Sequence, residues 1–189
     1  MKPSTEPTFS PRGKAAALAA GTALTFAAPA VADEKDWSKA SDIGRGALVF
    51  AAIGLPAASG DGPGAFQAVG SVGSAFALTA ALKETFPETR PDGSDRRSFP
   101  SSHASTSFAA AATLQNRHGW EVGIPAQLVA GLVGLARVEA DKHYWHDVIV
   151  GAAIGEAAGF LITTRSDSNV RVLPWGDTKG GGVIVAARF

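Results

Sequence analysis

Three short signatures between residues 83 and 147 hold the side chains best suited to chemistry. Six residues separate Lys83 from Arg90-Pro91, and Pro100-Ser101-Ser102-His103 follows. Arg137 is then separated by five residues from His143, which precedes Asp147 by three more. Three cations, two imidazoles and a carboxylate are the parts needed to grip a phosphate dianion, attack its phosphorus and protonate the group that leaves. Guanidinium is the fork-shaped donor matched to two phosphate oxygens, and an ammonium adds a compact charge. On a helix, His143 and Asp147 share a face. A carboxylate accepting Nδ1–H would fix the imidazole tautomer and leave Nε2 aimed as a nucleophile.

Each piece also has a plainer reading. Lys83 is placed to be a helix C-terminal charge, and Arg90 a solvated loop residue. Ser101 and Ser102 suit a helix N-cap, a role compatible with anion binding because both use the unpaired N–H groups of a first helical turn. His143 and Asp147 suit an ordinary surface pair. Arg137 is harder to set aside, since it ends the apolar run 128–136 and its guanidinium must snorkel or find an anion. His146 is read as a spectator, one residue off the His143–Asp147 face. His143, His146 and Asp147 form a rival metal-ligand set, but no HExxH and no second acidic cluster accompanies them.

The elements that must position these residues read mostly as helices. A first runs from a Ser41 or Asp42 cap to about Ala58, and a second from about Gly64 to Thr85. Phe86 to Pro100 holds Pro87, Pro91, Gly93 and Pro100 and reads as a charged loop. A third helix runs from Ser102 to near Gly119 and a fourth from Pro125, suited to a first turn, to Glu139. A fifth runs from Trp145 to near Thr164. Val170 to Trp175, a Gly180–Gly182 turn and Val183 to Phe189 resemble a β-hairpin. The expected fold is therefore all-α, a compact bundle of about five to six helices over 33–169 with a C-terminal hairpin or flap over 170–189.

Bulk properties narrow the function classes. The chain has 189 residues with 17 basic and 17 acidic side chains, a balance that marks no general nucleic-acid binder. Without cysteine it holds no disulfide framework and no thiolate metal site. Lys2, Arg12 and Lys14 precede an uncharged stretch from Ala15 to Ala28. Ala30 and Ala32 then supply the small residues of a signal-peptidase site, so residues 1–32 read as a signal peptide with a periplasmic destination. Pro63 to Leu82 is uncharged and long enough to span a bilayer, but it is rich in Gly and Ala, which gain little per residue on insertion. A soluble bundle is the expectation, with contact to a membrane surface open and a membrane-embedded bundle as the alternative.

At the three signatures the chain resembles the type-2 phosphatidic acid phosphatase family, which includes class A acid phosphatases, lipid phosphate phosphatases and vanadium haloperoxidases. The resemblance spans roughly Lys83 to Gly155. Ser102 stands where the family pattern has Gly, and Ala136 where it has Ser. The resemblance implies that Lys83, Arg90, Arg137, Ser101 and Ser102 bind the substrate phosphate. It further implies that His143 attacks and becomes a phosphohistidine held by Asp147, and that His103 protonates the leaving group. It implies no metal and no cofactor, and a phosphomonoester, lipid phosphate or lipid diphosphate as substrate. Vanadate-dependent halide oxidation and non-catalytic phosphate or lipid binding are the alternatives; oligomeric state is not legible.

Overall fold

Residues 33–165, 170–177 and 180–187 are described by the computed structural model of the chain; the expected leader, and the end of the expected second strand at 188–189, lie outside them. Five helices follow one another: α1 Glu34–Ala58, α2 Gly62–Thr85, α3 Ser102–His118, α4 Trp120–Glu139 and α5 Trp145–Ile162. Two strands, β1 Val170–Asp177 and β2 Gly180–Ala187, pair antiparallel from Val170↔Ala187 to Asp177↔Gly180. The all-α bundle with a terminal hairpin is the architecture found.

Two helix starts lie earlier than expected. Asp33, not Ser41 or Asp42, caps α1, its carboxylate accepting from the Asp36 N–H at 2.8 Å. Ser41 and Asp42 lie inside the helix, where a polar stretch with solvated acidic residues in its first turn still satisfies helical geometry. α4 begins at Trp120 directly after Gly119, whose φ of 86° ends α3, and Pro125 falls inside the helix rather than in its first turn. There its missing N–H leaves a carbonyl of the exposed first turn unbonded, a position that tolerates it better than mid-helix.

α3 is the axis of the bundle and touches all four other helices. Its Ala104 and Ala109 to Ala112 are fully buried, so small side chains let the neighbours approach on every side. Gly151 and Gly155 do the same from α5. A Cβ on Gly155 would lie 2.3 Å from the Ser105 carbonyl oxygen, and one on Gly151 2.6 Å from that of Ser101. Hydroxyl pairs tie α2 to α3, Thr79 to Ser105 at 2.9 Å and Thr113 to Ser71 at 3.0 Å. Such small-residue contacts and buried hydroxyl pairs suit helices packed where water gives no drive.

The surface is more apolar than the expectation of a soluble bundle implied. α2, α4 and α5 are each long and apolar enough to cross a membrane. Their outward faces carry exposed Phe66, Phe76, Leu78, Leu128, Leu132, Ile149 and Leu161. Scattered exposed leucines are ordinary, whereas large apolar side chains along three helices are an apolar belt. Trp120 opens α4 and Trp145 opens α5, both exposed, the interfacial placement favoured by indole.

Candidate active site

Successive helices run in alternating directions, so the C-terminus of α2, the N-terminus of α3, the C-terminus of α4 and the approach to α5 meet at one end. They enclose a cavity of about 250 Å³ lined by Lys83, Arg90, Ser102, His103, Arg137 and His143, together with Arg45, Phe76, Ala80 and Arg97. The three signatures, far apart in sequence, thus share one concavity. Asp147 lies behind His143 and does not reach the wall. Ser101 does not reach it either: it is fully buried as the N-cap of α3, its Oγ accepting from Ala104 N–H at 3.4 Å.

His143 is held by the turn between α4 and α5. Its N–H donates to the Arg137 carbonyl at 3.2 Å, and Asp141 in the same turn takes a φ of 51°. That left-handed conformation is one that Asp tolerates better than most residues. The His143 ring is 3 % exposed, and its Nδ1 lies 3.5 Å from Asp147 Oδ2. This is contact distance for an ion pair but too long for a formed hydrogen bond, and Nδ1 has no other partner. Oδ2 already accepts from Ser98 Oγ at 2.5 Å and from Tyr144 N–H at 2.9 Å. Burial pushes the His143 pKa down, the Asp147 carboxylate opposes this, and Lys83, Arg137 and Arg90 push it down further. A neutral imidazole with a lone pair is the outcome, the form a nucleophile requires.

His103 is paired across the cavity with Asp42 of α1, Nε2 to Oδ1 at 2.7 Å. The hydrogen bond from His103 holds the Asp42 carboxyl below its usual range, so the carboxylate accepts and the imidazole proton sits on Nε2. Any second proton must ride on Nδ1. Burial presses the His103 pKa down to about 4; Asp42 raises it, while Arg137 and Arg45 lower it. The free site therefore holds His103 neutral, and an arriving dianion that offsets those guanidiniums is what would let it gain a proton.

The cations differ in what they have left to give. Lys83 Nζ donates to the carbonyls of Arg97, Ser98 and Pro100 at 2.6, 3.1 and 2.6 Å, using all three of its hydrogens. It fixes the loop before α3 and adds charge to the cavity. Arg90 Nε pairs with Asp95 at 2.7 Å, and its Nη1 reaches the Lys142 carbonyl at 3.4 Å. Arg137 is 5 % exposed and donates to the hydroxyls of Ser38 and Ser41, each at 3.2 Å, with no carboxylate against it among the described residues. Ser101 N–H donates to the Asp147 carbonyl at 3.0 Å, which pins the start of α3 to the first turn of α5. The first N–H groups of α3, free of intrahelical partners, lie beside the wall that Ser102 and His103 form.

His146 is more than a spectator. Its Nε2 bonds Glu88 at 3.0 Å, and its ring stacks on Tyr144 at 5.5 Å and leans on Phe99 at 6.1 Å. It ties the loop after α2 to the start of α5. Glu88, His146 and Asp147 bring ligand atoms within 4.8 Å of one another. That trio differs from the rival metal-ligand set of the sequence, because His143 faces the other oxygen of Asp147.

Several site residues escaped the sequence reading. Ser38, Ser41, Asp42 and Arg45 lie at i, i+3, i+4 and i+7 on α1 and so share a face, but Glu34, Lys35, Asp36 and Lys39 make the same stretch polar all round and hide it. Ser98 and Arg97 sit in a charged loop with nothing to single them out. Ala136, one departure from the family pattern, is buried on α4 and leaves Arg137 in place.

A family model for the PAP2 superfamily matches residues 64–171, the segment that carries all three signatures. The chain belongs to the PAP2 superfamily. Among curated relatives, a lipid A 1-phosphatase from Porphyromonas gingivalis is 35% identical over 88 residues, which cover 44% of this chain and 20% of that protein. A lipid A 4'-phosphatase from Helicobacter pylori is 34% identical over 76 residues, covering 40% of this chain and 38% of that protein. The chain thus spans less than half the length of either. Among solved structures, LpxE of Aquifex aeolicus superposes with a TM-score of 0.59 at 23% identity, covering 68% of this chain and 83% of that one, a likeness of fold. A transmembrane PAP2-type phosphatidylglycerolphosphate phosphatase from Bacillus subtilis superposes with a TM-score of 0.54 at 25% identity, covering 68% and 74%.

Proposed function

We propose that this PAP2 protein hydrolyses the phosphate of a membrane lipid through a phosphohistidine, without a metal, in a bilayer that α2, α4 and α5 span. The observation that carries the reading is a cavity whose wall is cationic on several sides, with a neutral, buried His143 at one side and His103 at another. Phosphoryl transfer needs alignment and charge neutralisation above all. Arg90 and Arg137 supply forked donors, Lys83 a fixed charge, and Ser102 with the first N–H groups of α3 further donors. Ser101 serves from behind as their cap. His143 attacks phosphorus in line, and the bond to the leaving oxygen breaks as His103 protonates that oxygen. Asp147 steadies the imidazolium, the 3.5 Å contact shortening as charge develops. Water, relieved of a proton by His103, then splits the P–N bond and restores His143.

A lipid substrate is favoured by the apolar belt of the helices and by the activities named for the curated relatives. A periplasmic-facing site and removal of residues 1–32 belong to the same proposal. The test is phosphate release from dispersed phosphatidic acid and from p-nitrophenyl phosphate by the full chain in detergent with EDTA present, beside His143→Ala. EDTA-resistant turnover that disappears in the variant is expected. Phosphate binding without turnover of either compound would make this a binding protein instead.

A further inference from the structure

Arg45 and Arg97 are the cavity cations to which the hydrolytic scheme gives no task, and of the two Arg45 alone lacks a carboxylate at contact distance among the described residues. It stands on α1, ahead of the family-matched segment that begins at residue 64. Arg90 is paired with Asp95, Arg97 with Glu84, Arg137 with serine hydroxyls and Lys83 with carbonyls. Arg45 has no hydrogen bond and no ion pair among the described residues. Asp42, three residues earlier on α1, feels the Arg45 charge without touching it, so the fork of guanidinium N–H donors is left for a ligand to fill.

Its location says which part of a ligand. Arg45 lines the cationic cavity and also the adjoining cleft of about 430 Å³ between α1 and α2, whose other walls include Val49, Phe50 and Val72. It therefore marks the passage from polar head to apolar tail. The cavity of about 250 Å³ holds roughly eight water-sized volumes, more than one phosphate fills.

We propose that Arg45 forms a second anion subsite, which holds the inner phosphate of a lipid diphosphate while the terminal phosphate lies against His143. The inference rests on the phosphatase reading of the same site. His143 attacks the terminal phosphorus and the bridging P–O bond breaks. Its electron pair stays on the departing lipid monophosphate, and water then releases inorganic phosphate and restores the imidazole. Negative charge grows on the inner phosphate as that bond breaks, so a cation beside it acts more strongly in the transition state than before it.

The experiment compares kcat/KM for farnesyl diphosphate and farnesyl phosphate in the detergent-solubilised full chain and in Arg45→Gln. The variant should lose at least about tenfold more on the diphosphate than on the monophosphate, a difference of ~1.4 kcal/mol. Arg45→Lys, with charge but no fork, should recover part of that difference. Equal fold-changes on the two substrates, including no change on either, overturn the subsite. Should Arg45→Gln fail to fold, inhibition of farnesyl phosphate turnover in the unaltered protein decides: pyrophosphate should inhibit at least about tenfold more tightly than orthophosphate, and equal inhibition refutes the proposal. An unaltered protein that hydrolyses neither substrate sinks the phosphatase reading and the subsite with it, whereas turnover without discrimination by Arg45 sinks the subsite alone.

Discussion

Replacing Asp42 by Asn isolates the acid half of the scheme. The change keeps the shape and an acceptor oxygen beside His103 Nε2 but removes the charge from a 2.7 Å contact. Hydrogen bonds to charged groups contribute about 1.5–3 kcal/mol, and exposure places this one at the low end because the Asp42 side chain is 57% exposed. About 1.4 kcal/mol is one pKa unit, so His103 should be protonated roughly tenfold less often at any pH above its pKa. An alkyl phosphate, whose leaving alkoxide needs that proton, should lose about tenfold in kcat/KM. p-Nitrophenyl phosphate, whose leaving group departs as a stable anion, should lose about twofold or less. Paired pH–rate profiles on the two substrates are the assay. An identical loss on both would show that Asp42 serves phosphate binding or folding and not the proton.

Other residues give independent checks. Ser98→Ala removes the 2.5 Å bond to Asp147 Oδ2, so kcat should fall about fivefold with KM held, for a bond worth ~1 kcal/mol; an unchanged kcat would mean that Tyr144 N–H alone steadies the carboxylate. Gly155→Ala should lower thermal stability by about 1–3 kcal/mol, because the new Cβ would lie 2.3 Å from the Ser105 carbonyl oxygen and α5 must move. At Gly73, where a Cβ meets nothing within 4 Å, the same substitution should be neutral or stabilising by about 0.5–1 kcal/mol. Melting temperatures of the two variants decide. His103 carries a pKa lowered from 6.5 to about 4 in the folded chain, so the unfolded chain binds more protons between those values. Its contribution to stability is complete above about 6.5 and is lost as pH falls toward about 4. His103→Gln should flatten that slope in chemical unfolding curves, and an unaltered slope would contradict the assignment.

The three signatures that meet at the cavity were legible because each is compact and because the proposed chemistry dictates residue types: forked cations, a helix start, a carboxylate one turn beyond an imidazole. Helix ends at Gly119 and Thr85 were legible from turn chemistry, and the hairpin from its β-prone runs around glycines. The start of α1 was not, since Ser41 and Asp42 look like caps in isolation; only their bonds to Arg137 and His103 show them to be helix residues turned to the site. The apolar outer surface was hidden for a related reason. Ala and Gly dilute the average hydropathy of α2, α4 and α5, but Ala68, Ala75, Ala126, Ala130, Gly151 and Gly155 face inward, while Phe66, Leu128 and Leu161 face outward. Composition cannot register that segregation. Ser98 was beyond reach because its partner Asp147 is brought to it only by the close approach of α3 and α5 at Gly151.

The central claim is the covalent step, and competition between water and an added alcohol for the enzyme-bound phosphoryl group tests it most directly. Full-length protein turns over several phosphate esters with different leaving groups in the presence of glycerol, and glycerol phosphate is measured against inorganic phosphate. A shared phosphohistidine at His143 predicts one product ratio for every ester, with His143→Ala forming neither product. A ratio that changes with the leaving group would mean that water attacks the bound ester directly and that no phosphoenzyme exists.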